Sequence, residues 1–293
     1  MTSRSSLFAA MAICSAFAMF SSCQGTAIDN TEKAVTDSLA AEPADSLIDE
    51  FPLHESVMTA SESYKVTSAD DSTLVWYVTL STSVQWPETI GKYKITNLQD
   101  SIIDLTFGAE APKKIKKAIR QSITDLAQYG LEGKVETVDT IPQNAGVEEF
   151  YSTKTLQLIE CTSQTVTYSA TFSDFLGGAH PNSGATPFSF VLATDQPVTM
   201  EYLFLDGAQK ELTPLILEAI AASHSIGIDE LKSALLNSPD MVRKNVYLLN
   251  GNIAFHYNPY EILPYSYGPS EAYISPIQVE KYLTPAAKKL LLE

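Results

Sequence analysis

The sequence predicts an α+β fold in which a mainly antiparallel sheet packs against helices, arranged as two small, intimately joined subdomains. Strand-like and helix-like segments occur in clusters rather than in strict alternation, which favours antiparallel pairing over βαβ units. Apolar and polar residues alternate from Thr165 to Ser173, as in a strand with one buried and one solvated face. Asn250-Gly251 lies between two apolar runs and is a strong hairpin signal.

Residues 1–22 have the features of a lipoprotein signal peptide. Arg4 supplies a positive charge, and Leu7–Phe20 is an almost unbroken apolar segment. That segment is shorter than the roughly 20 apolar residues that a membrane-spanning helix needs. Two small residues then precede Cys23, as in a bacterial lipobox, in which the cysteine is lipidated and becomes the first residue. We therefore expect a lipid on Cys23, with an ordinary signal peptide and an incidental cysteine as the alternative.

Residues 23–58 are predicted to form an acidic, disordered tether between that lipid and the fold. The segment is rich in small polar residues and acids and poor in aromatic residues. Of the three cysteines, only Cys161 would remain in the fold, so we expect no intramolecular disulfide. Stability then has to come from a hydrophobic core, for which the remaining chain is long enough.

The N-terminal subdomain is predicted to cover residues 59–180. Runs of β-branched and aromatic residues predict its strands, and apolar residues three and four apart predict its helices. Proline in a first turn and glycine after a last turn mark helix ends. The predicted elements are a strand at Leu74–Leu80 that Pro87 ends, a helix from Ile95 to Leu105, a helix from Pro112 to Gly130, and a hairpin that joins Leu156–Leu158 to Thr165–Ser173.

The C-terminal subdomain is predicted to cover residues 181–293. Its turn and capping residues are clear, because Asn-Gly favours a two-residue hairpin and Thr284-Pro285 suits a helix start. The predicted elements are a strand at Phe188–Leu192, helices at Leu212–Ile220 and Ile228–Leu236, a hairpin of Val246–Leu249 with Ile253–Tyr257, a strand at Ala272–Ile274 and a terminal helix from Thr284.

The net charge of −16 makes nucleic acid and anionic lipid surfaces poor partners, because both need clustered basic residues. The charge favours association with a cationic partner outside the cell, although it also serves solubility alone. The one basic cluster, Lys113 to Lys117, lies at the start of a predicted helix. It is either a solvated face or a patch that faces an anion such as an acidic glycopeptide.

Residues 255–269 combine four tyrosines, three prolines, His256 and Glu261. Each proline fixes its own φ and pushes the preceding residue toward extended geometry, so this run cannot be a regular helix. Tyrosine offers a large contact area at a small cost in rotamer entropy, which suits a recognition surface. The run predicts a strand that continues into a rigid aromatic loop, used for binding or for specialised packing. The candidate ligand-binding residues in the run are His256, Tyr257, Tyr260, Glu261, Tyr265 and Tyr267.

The turn from Gly177 to Asn182 follows the best predicted strand and adds His180 and Asn182 to the candidates. Paired glycines allow positive φ, which would hold both side chains on a tight turn. His180 could act as a base or metal ligand, but such side chains more often bond the local backbone. The chain has four histidines and no HExxH spacing, and it lacks GxSxG, SxxK and phosphate-loop motifs. We therefore predict no metal, no cofactor and no catalytic residue.

The two motifs together resemble a known family. Gly177 to Asn182 is similar to a GGAH-x-N turn, and Tyr257 to Tyr265 with Gly268 is similar to a Y-x-P-Y-E-I-x-P-Y…G run. This pairing, over roughly Thr73 to Leu283, resembles the RsiV-like extracytoplasmic module, also called the PdaC/RsiV-like domain, a domain-of-unknown-function family. The module occurs in envelope-anchored anti-sigma factors and beside polysaccharide-deacetylase domains.

The resemblance implies a non-catalytic binding or sensing module in the cell envelope. RsiV-type members bind lysozyme, and deacetylase members carry their catalysis on a separate domain that this chain lacks. Without a spanning helix or a sigma-binding segment, the chain does not inherit signalling by regulated proteolysis. The expected partners are a membrane, through the N-terminal lipid, and lysozyme or a peptidoglycan-related ligand. The alternatives are an envelope hydrolase that uses His180 with Glu261, and a purely structural lipoprotein. Whether the protein faces the periplasm or the cell surface stays open.

Overall fold

The computed structural model describes residues 52–143, 150–237 and 245–293. The predicted signal peptide, the predicted lipidation site Cys23 and most of the predicted tether lie outside these residues. The chain from Asp49 to Glu293 forms one compact unit.

Two sheets and six α-helices make up the described residues. The strands are β1 (Leu53–Thr67), β2 (Val75–Ile90), β3 (Lys134–Val138), β4 (Phe150–Cys161), β5 (Thr165–Phe175), β6 (Asn182–Val191), β7 (Gln196–Pro197), β8 (Val246–Leu249), β9 (Asn252–Tyr257) and β10 (Ser270–Ile274). The helices are α1 (Thr96–Phe107), α2 (Ile115–Asp125), α3 (Met200–Leu203), α4 (Gln209–Ser223), α5 (Ile228–Ala234) and α6 (Pro285–Leu291). A π-helical turn (Leu126–Gly130) extends α2, and 3₁₀ turns occupy Tyr265–Tyr267 and Pro276–Tyr282.

The larger sheet has seven strands in the order β3-β1-β2-β4-β5-β6-β7, and the smaller has three in the order β10-β9-β8. Only the β2–β4 pair is parallel among the strand pairs of the described residues. The predicted α+β class with a mainly antiparallel sheet is therefore confirmed.

The larger sheet differs from the prediction at both subdomain boundaries. Strand β1 begins at Leu53, so residues 53–58 of the predicted tether belong to the sheet. Strands β5 and β6 pair along their length, so the predicted boundary at residue 180 falls between two neighbouring strands. Pro87 lies within β2 and does not end it. It pairs with Glu55, beside a register shift between His54 and Glu55 of β1. An irregularity of this kind accommodates a residue without an N–H.

The first six residues of β5, 165–170, are buried on both faces, which corrects the prediction of a solvated polar face for this part of the strand. Val166, Tyr168 and Ala170 join the core beneath α1 and α2. On the opposite face Thr167 is buried and its hydroxyl donates to the carbonyl of Leu248 in β8, at 2.9 Å. The smaller sheet therefore covers the face that the alternation pattern assigned to solvent. The smaller sheet shares a core with α4 and α5. This packing places the connection between β9 and β10 beside the N-terminal part of β6.

Candidate functional site

The tyrosine–proline run leaves β9 at Asn258 and turns sharply before β10. The N–H of Tyr260 donates to the carbonyl of Leu263 at 3.0 Å, and the N–H of Glu261 donates to the carbonyl of Asn258 at 3.1 Å. Ile262 and Leu263 are buried in the core, whereas Tyr260 points outward and is 56% exposed. Tyr260 has a φ of 68°, in the left-handed region that non-glycine residues rarely adopt.

Asn258 ties this corner to β6. Its Oδ1 accepts from the N–H of Ala185 at 2.6 Å, and its Nδ2 donates to the carbonyl of Ala185 at 2.9 Å. The amide therefore pairs with β6 as a neighbouring strand residue would. A Cβ at Gly184 would lie 3.1 Å from this Oδ1 and 2.6 Å from the ring of Phe172, so a side chain there would require both groups to shift.

His180, Tyr260 and Tyr265 stack together at the surface, and we call these three rings the aromatic platform. The ring centroids of His180 and Tyr265 are 4.0 Å apart, and those of Tyr260 and Tyr265 are 5.6 Å apart. The hydroxyl of Tyr265 donates to the carbonyl of Pro181 at 3.2 Å, which closes the contact between the two motifs. The structure thus brings the glycine turn and the tyrosine–proline run into one exposed cluster.

The glycine turn holds His180 by backbone conformation and local bonds. Gly177 and Gly178 have φ values of 112° and 110°, as the paired glycines indicate. The Nδ1 of His180 lies 2.8 Å from the carbonyl oxygen of Pro181, and its Nε2 lies 3.5 Å from the hydroxyl of Tyr260. Asn182 is exposed and bonds the side chain of Asp174, whose pKa is raised by burial.

The structure does not join His180 to Glu261 as a catalytic pair. The carboxylate of Glu261 accepts from the N–H of Asn258 at 2.8 Å, while the ring of His180 contacts two tyrosines. Glu261 therefore braces the corner in the way a helix cap would. The predicted hydrolase arrangement has no geometric support.

His256 is buried and bonds Glu271 instead of Glu261. The two residues are cross-strand partners on β9 and β10, with 3.2 Å between Nδ1 and a carboxylate oxygen. The Nε2 of His256 lies 3.2 Å from Oδ1 of Asn258, so both ring nitrogens face oxygen acceptors. The hydrogen bond from His256 lowers the pKa of Glu271. The sequence analysis did not predict this pair, because Glu271 lies on the next strand and outside the tyrosine–proline run.

The remaining candidates lie deeper than the platform. Tyr257 is buried in the core, and the half-buried Tyr267 packs edge-on against His224 with ring centroids 5.7 Å apart. Neither side chain is placed to meet a ligand from solvent. The Nε2 of His224 lies 2.8 Å from the hydroxyl oxygen of Ser270, a pair that no sequence motif marked.

The described residues contain neither a cluster of metal-ligating side chains nor a helix able to span a membrane. No group of three or more histidine, cysteine, aspartate or glutamate side chains in them is arranged to hold a metal ion. In the same residues, every helix is too short or too polar to span a bilayer.

The fold recurs in solved proteins that share little of this sequence. The crystal structure of a DUF3298 family member from Bacteroides fragilis matches with a TM-score of 0.58 at 19% identity, covering 83% of this chain and 99% of that chain. The structure of a DUF3298 family protein from Pseudomonas aeruginosa matches with a TM-score of 0.54 at 15% identity, covering 82% of this chain and 97% of that chain.

Residues 201–275, from α3 to the end of β10, match the family described as "Protein of unknown function (DUF3298)". These residues are therefore similar to the DUF3298 family, and the RsiV-like assignment stays a prediction. A protein of Mycobacterium tuberculosis named Esterase Rv3036c is 25% identical over 181 residues, which cover 59% of this chain and 74% of that protein.

Proposed function

We propose that this protein is a lipid-anchored, non-catalytic binding module of the bacterial cell envelope, and that the aromatic platform is its contact surface. The lipobox-like sequence at Cys23 supports the anchor, and the family resemblance supports the envelope role. The proposed ligands are lysozyme and peptidoglycan-related glycans.

The conformation and exposure of Tyr260 carry this proposal. A left-handed backbone at a bulky residue costs about 1–2 kcal/mol, and a residue kept there despite that cost is a candidate for function. Asparagine or glycine would suit the φ of 68° better if the corner served folding alone. Instead a tyrosine, 56% exposed, stands beside His180 and Tyr265.

The platform suits a ligand with a flat apolar face and polar edges. A sugar ring presents axial C–H groups that pack on an aromatic face, while its hydroxyls reach the tyrosine and histidine polar atoms at the rim. Tyrosine is also a frequent hot spot in protein interfaces, which suits a protein ligand. The net charge of −16 would raise the association rate with a basic protein such as lysozyme.

The test is titration of the protein with soluble muropeptides and, separately, with lysozyme. Tyr260→Asn keeps a residue that tolerates the left-handed backbone and removes the ring, so we expect about tenfold or greater loss of affinity without loss of stability. Tyr129→Asn is the matched control, since Tyr129 is 76% exposed on the π-helical turn. Unchanged affinity in Tyr260→Asn, or no binding to either ligand at sub-millimolar concentration, would contradict the proposal.

A second candidate is an ester hydrolase with Ser270 as nucleophile and His224 as its base. The name of the mycobacterial relative favours it, and so does the 2.8 Å Ser270–His224 distance, which lies in the range of activated serines. Ser270 is only 2% exposed, so substrate would have to displace neighbouring side chains, and this ranks the candidate second.

Hydrolysis of p-nitrophenyl butyrate tests the hydrolase candidate. Activity that disappears in Ser270→Ala and persists in Ser266→Ala, an exposed serine of the same segment, would support it. Equal rates in both variants would assign any activity to a contaminant or to another group.

A further inference from the structure

Strand β1 has a long open edge. Its outer neighbour β3 pairs only with Ser63 to Thr67, so the stretch from Leu53 to Glu62 has no strand partner on that side among the described residues. In an antiparallel ladder, alternate residues direct both N–H and C=O toward the same neighbour, so about half of this stretch directs them outward. Natural proteins usually block such an edge with lysine, proline or a covering segment, and this stretch contains no lysine and no proline.

A groove of about 750 Å³ runs along this edge, between β1 and α2. Every residue from Ser56 to Glu62 lines it. Successive side chains of a strand point to opposite faces of the sheet, so consecutive residues cannot all line the groove from one face. The groove therefore follows the backbone edge of β1. The groove therefore offers hydrogen-bonding groups as well as space.

The opposite wall comes from one stripe of α2 and is both apolar and basic. Ile119 and Ile123 form its floor, and Lys116 and Arg120, one turn apart, stand at its rim. Neither basic side chain forms an ion pair within the described residues, whereas the nearby Lys113 is paired with Asp104.

The two carboxylates of the groove already have hydroxyl partners. The hydroxyl of Ser56 donates to Glu88 at 2.7 Å, and the hydroxyl of Tyr64 donates to Glu62. These hydroxyl groups hold the two carboxylates in place but leave them charged, so the groove carries two acids and two bases. Within the described residues, only the two bases have no side-chain partner.

We propose that the edge of β1 from Leu53 to Glu62 binds an extended acidic peptide, which adds one strand to the larger sheet beside α2. Backbone hydrogen bonds along β1 supply the affinity, as in other cases of strand addition. Because α2 lies over one face of the sheet, only every second side chain of the peptide faces it. Apolar side chains among these pack beside the largely buried Ile119 and Ile123, and acidic ones face Lys116 and Arg120. This role uses Lys116 of the basic cluster together with Arg120, whereas Lys113 is already paired with Asp104.

A second copy of the chain fits this edge less well than a peptide. In a symmetric dimer, β1 of one copy would pair with β1 of the other across a two-fold axis. Lys116 and Arg120 of one copy would then face Lys116 and Arg120 of the other. An acidic peptide removes that repulsion.

The probe is a capped peptide of about ten residues, long enough to cover the open edge. Every second residue is threonine, and the residues between are alternately valine and glutamate, so that valine and glutamate share the face toward α2. We expect binding that slows amide hydrogen exchange between Leu53 and Glu62. The double variant Lys116→Glu/Arg120→Glu should weaken binding about tenfold or more. The matched control is Lys114→Glu/Lys117→Glu, which changes the net charge equally on helix positions outside the groove.

Two further peptides test the backbone pairing directly. One carries N-methyl groups on all threonines and the other on all valines and glutamates, so each blocks one edge of the added strand. Loss of binding by one peptide and retention by the other supports strand addition, and any other pattern overturns it. Equal effects of the two charge variants, protection elsewhere in the chain, or concentration-dependent self-association that protects the same edge without peptide would also overturn the proposal.

Discussion

Replacement of Asn258 by alanine should destabilise the fold more than any other single change in the tyrosine–proline run outside the core. The side chain makes two hydrogen bonds to Ala185, at 2.6 and 2.9 Å, and accepts a third from His256 at 3.2 Å. A hydrogen bond contributes about 0.5–1.5 kcal/mol net, and a buried donor left without a partner costs about 1–3 kcal/mol. His256 is buried, so the loss of its acceptor falls in the second class.

We therefore expect Asn258→Ala to lower the free energy of unfolding by about 3 kcal/mol. The two bonds to Ala185 contribute the lower values of their range, because Ala185 is half-buried and water can replace them. Asn258→Asp should be about as harmful, since its second oxygen would face the carbonyl of Ala185 and the carboxylate of Glu261. Urea unfolding followed by fluorescence and circular dichroism measures both variants, and an unchanged slope against urea shows that the comparison is valid.

Asn252→Ala is the control, because the side chain of Asn252 makes a single local bond to the carbonyl of Asn250 at 3.1 Å. It should cost less than about 1 kcal/mol. A loss for Asn258→Ala no larger than that of the control would refute the conclusion that this amide joins the corner to β6.

Three further predictions concern other parts of the fold. The lowered pKa of Glu271 stabilises the folded state at pH values above the ordinary glutamate pKa of about 4.3. This stabilisation is lost as the pH falls through the lowered pKa. Glu271→Gln should therefore flatten the dependence of the urea midpoint on pH in that acidic range. Burial, with Glu55 and Glu160 nearby, raises the pKa of Cys161 to about 11, so alkylation at pH 8, followed by mass spectrometry, should be about 100-fold slower than for a free thiol. Asp195 accepts from the N–H groups of Asn97 and Leu98, at 2.7 and 3.0 Å, and caps α1 from a distant turn, so Asp195→Ala should cost about 1–2 kcal/mol in the same unfolding assay.

Local signals predicted the elements that depend on local chemistry. Asn250-Gly251 turns β8 into β9 with φ values of 50° and 71°, as a two-residue hairpin requires. The hydroxyl of Thr284 accepts from the N–H of Ala287 and caps α6. The sequence analysis did not predict strand β1, because its first ten residues, Leu53 to Glu62, include few β-branched residues. These residues gain their order from pairing with β2.

Pairing between distant segments was beyond local reasoning. His256 meets Glu271 through the register of β9 and β10, and neither residue carries a signal of that register. The buried hydroxyl of Thr167 looked solvated because alternation shows which residues share a face and not whether a second layer covers it. The family resemblance paired the glycine turn with the tyrosine–proline run, but only the fold shows that they share a stack of rings.

The sequence left two roles open for the tyrosine–proline run, namely bracing of the fold and binding of a ligand. The structure separates these roles, because some side chains of the run point into the core and others point to the surface. Tyr257, Ile262 and Leu263 fill the core, and Asn258 and Glu261 hold the corner by hydrogen bonds. Bracing therefore accounts for these residues without any ligand. It does not account for Tyr260, whose ring is exposed and whose backbone is strained. The binding proposal consequently depends on Tyr260, together with His180 and Tyr265, rather than on the motif as a whole. A ligand that engages this corner should discriminate Tyr260→Asn from wild type while leaving the bracing residues untouched.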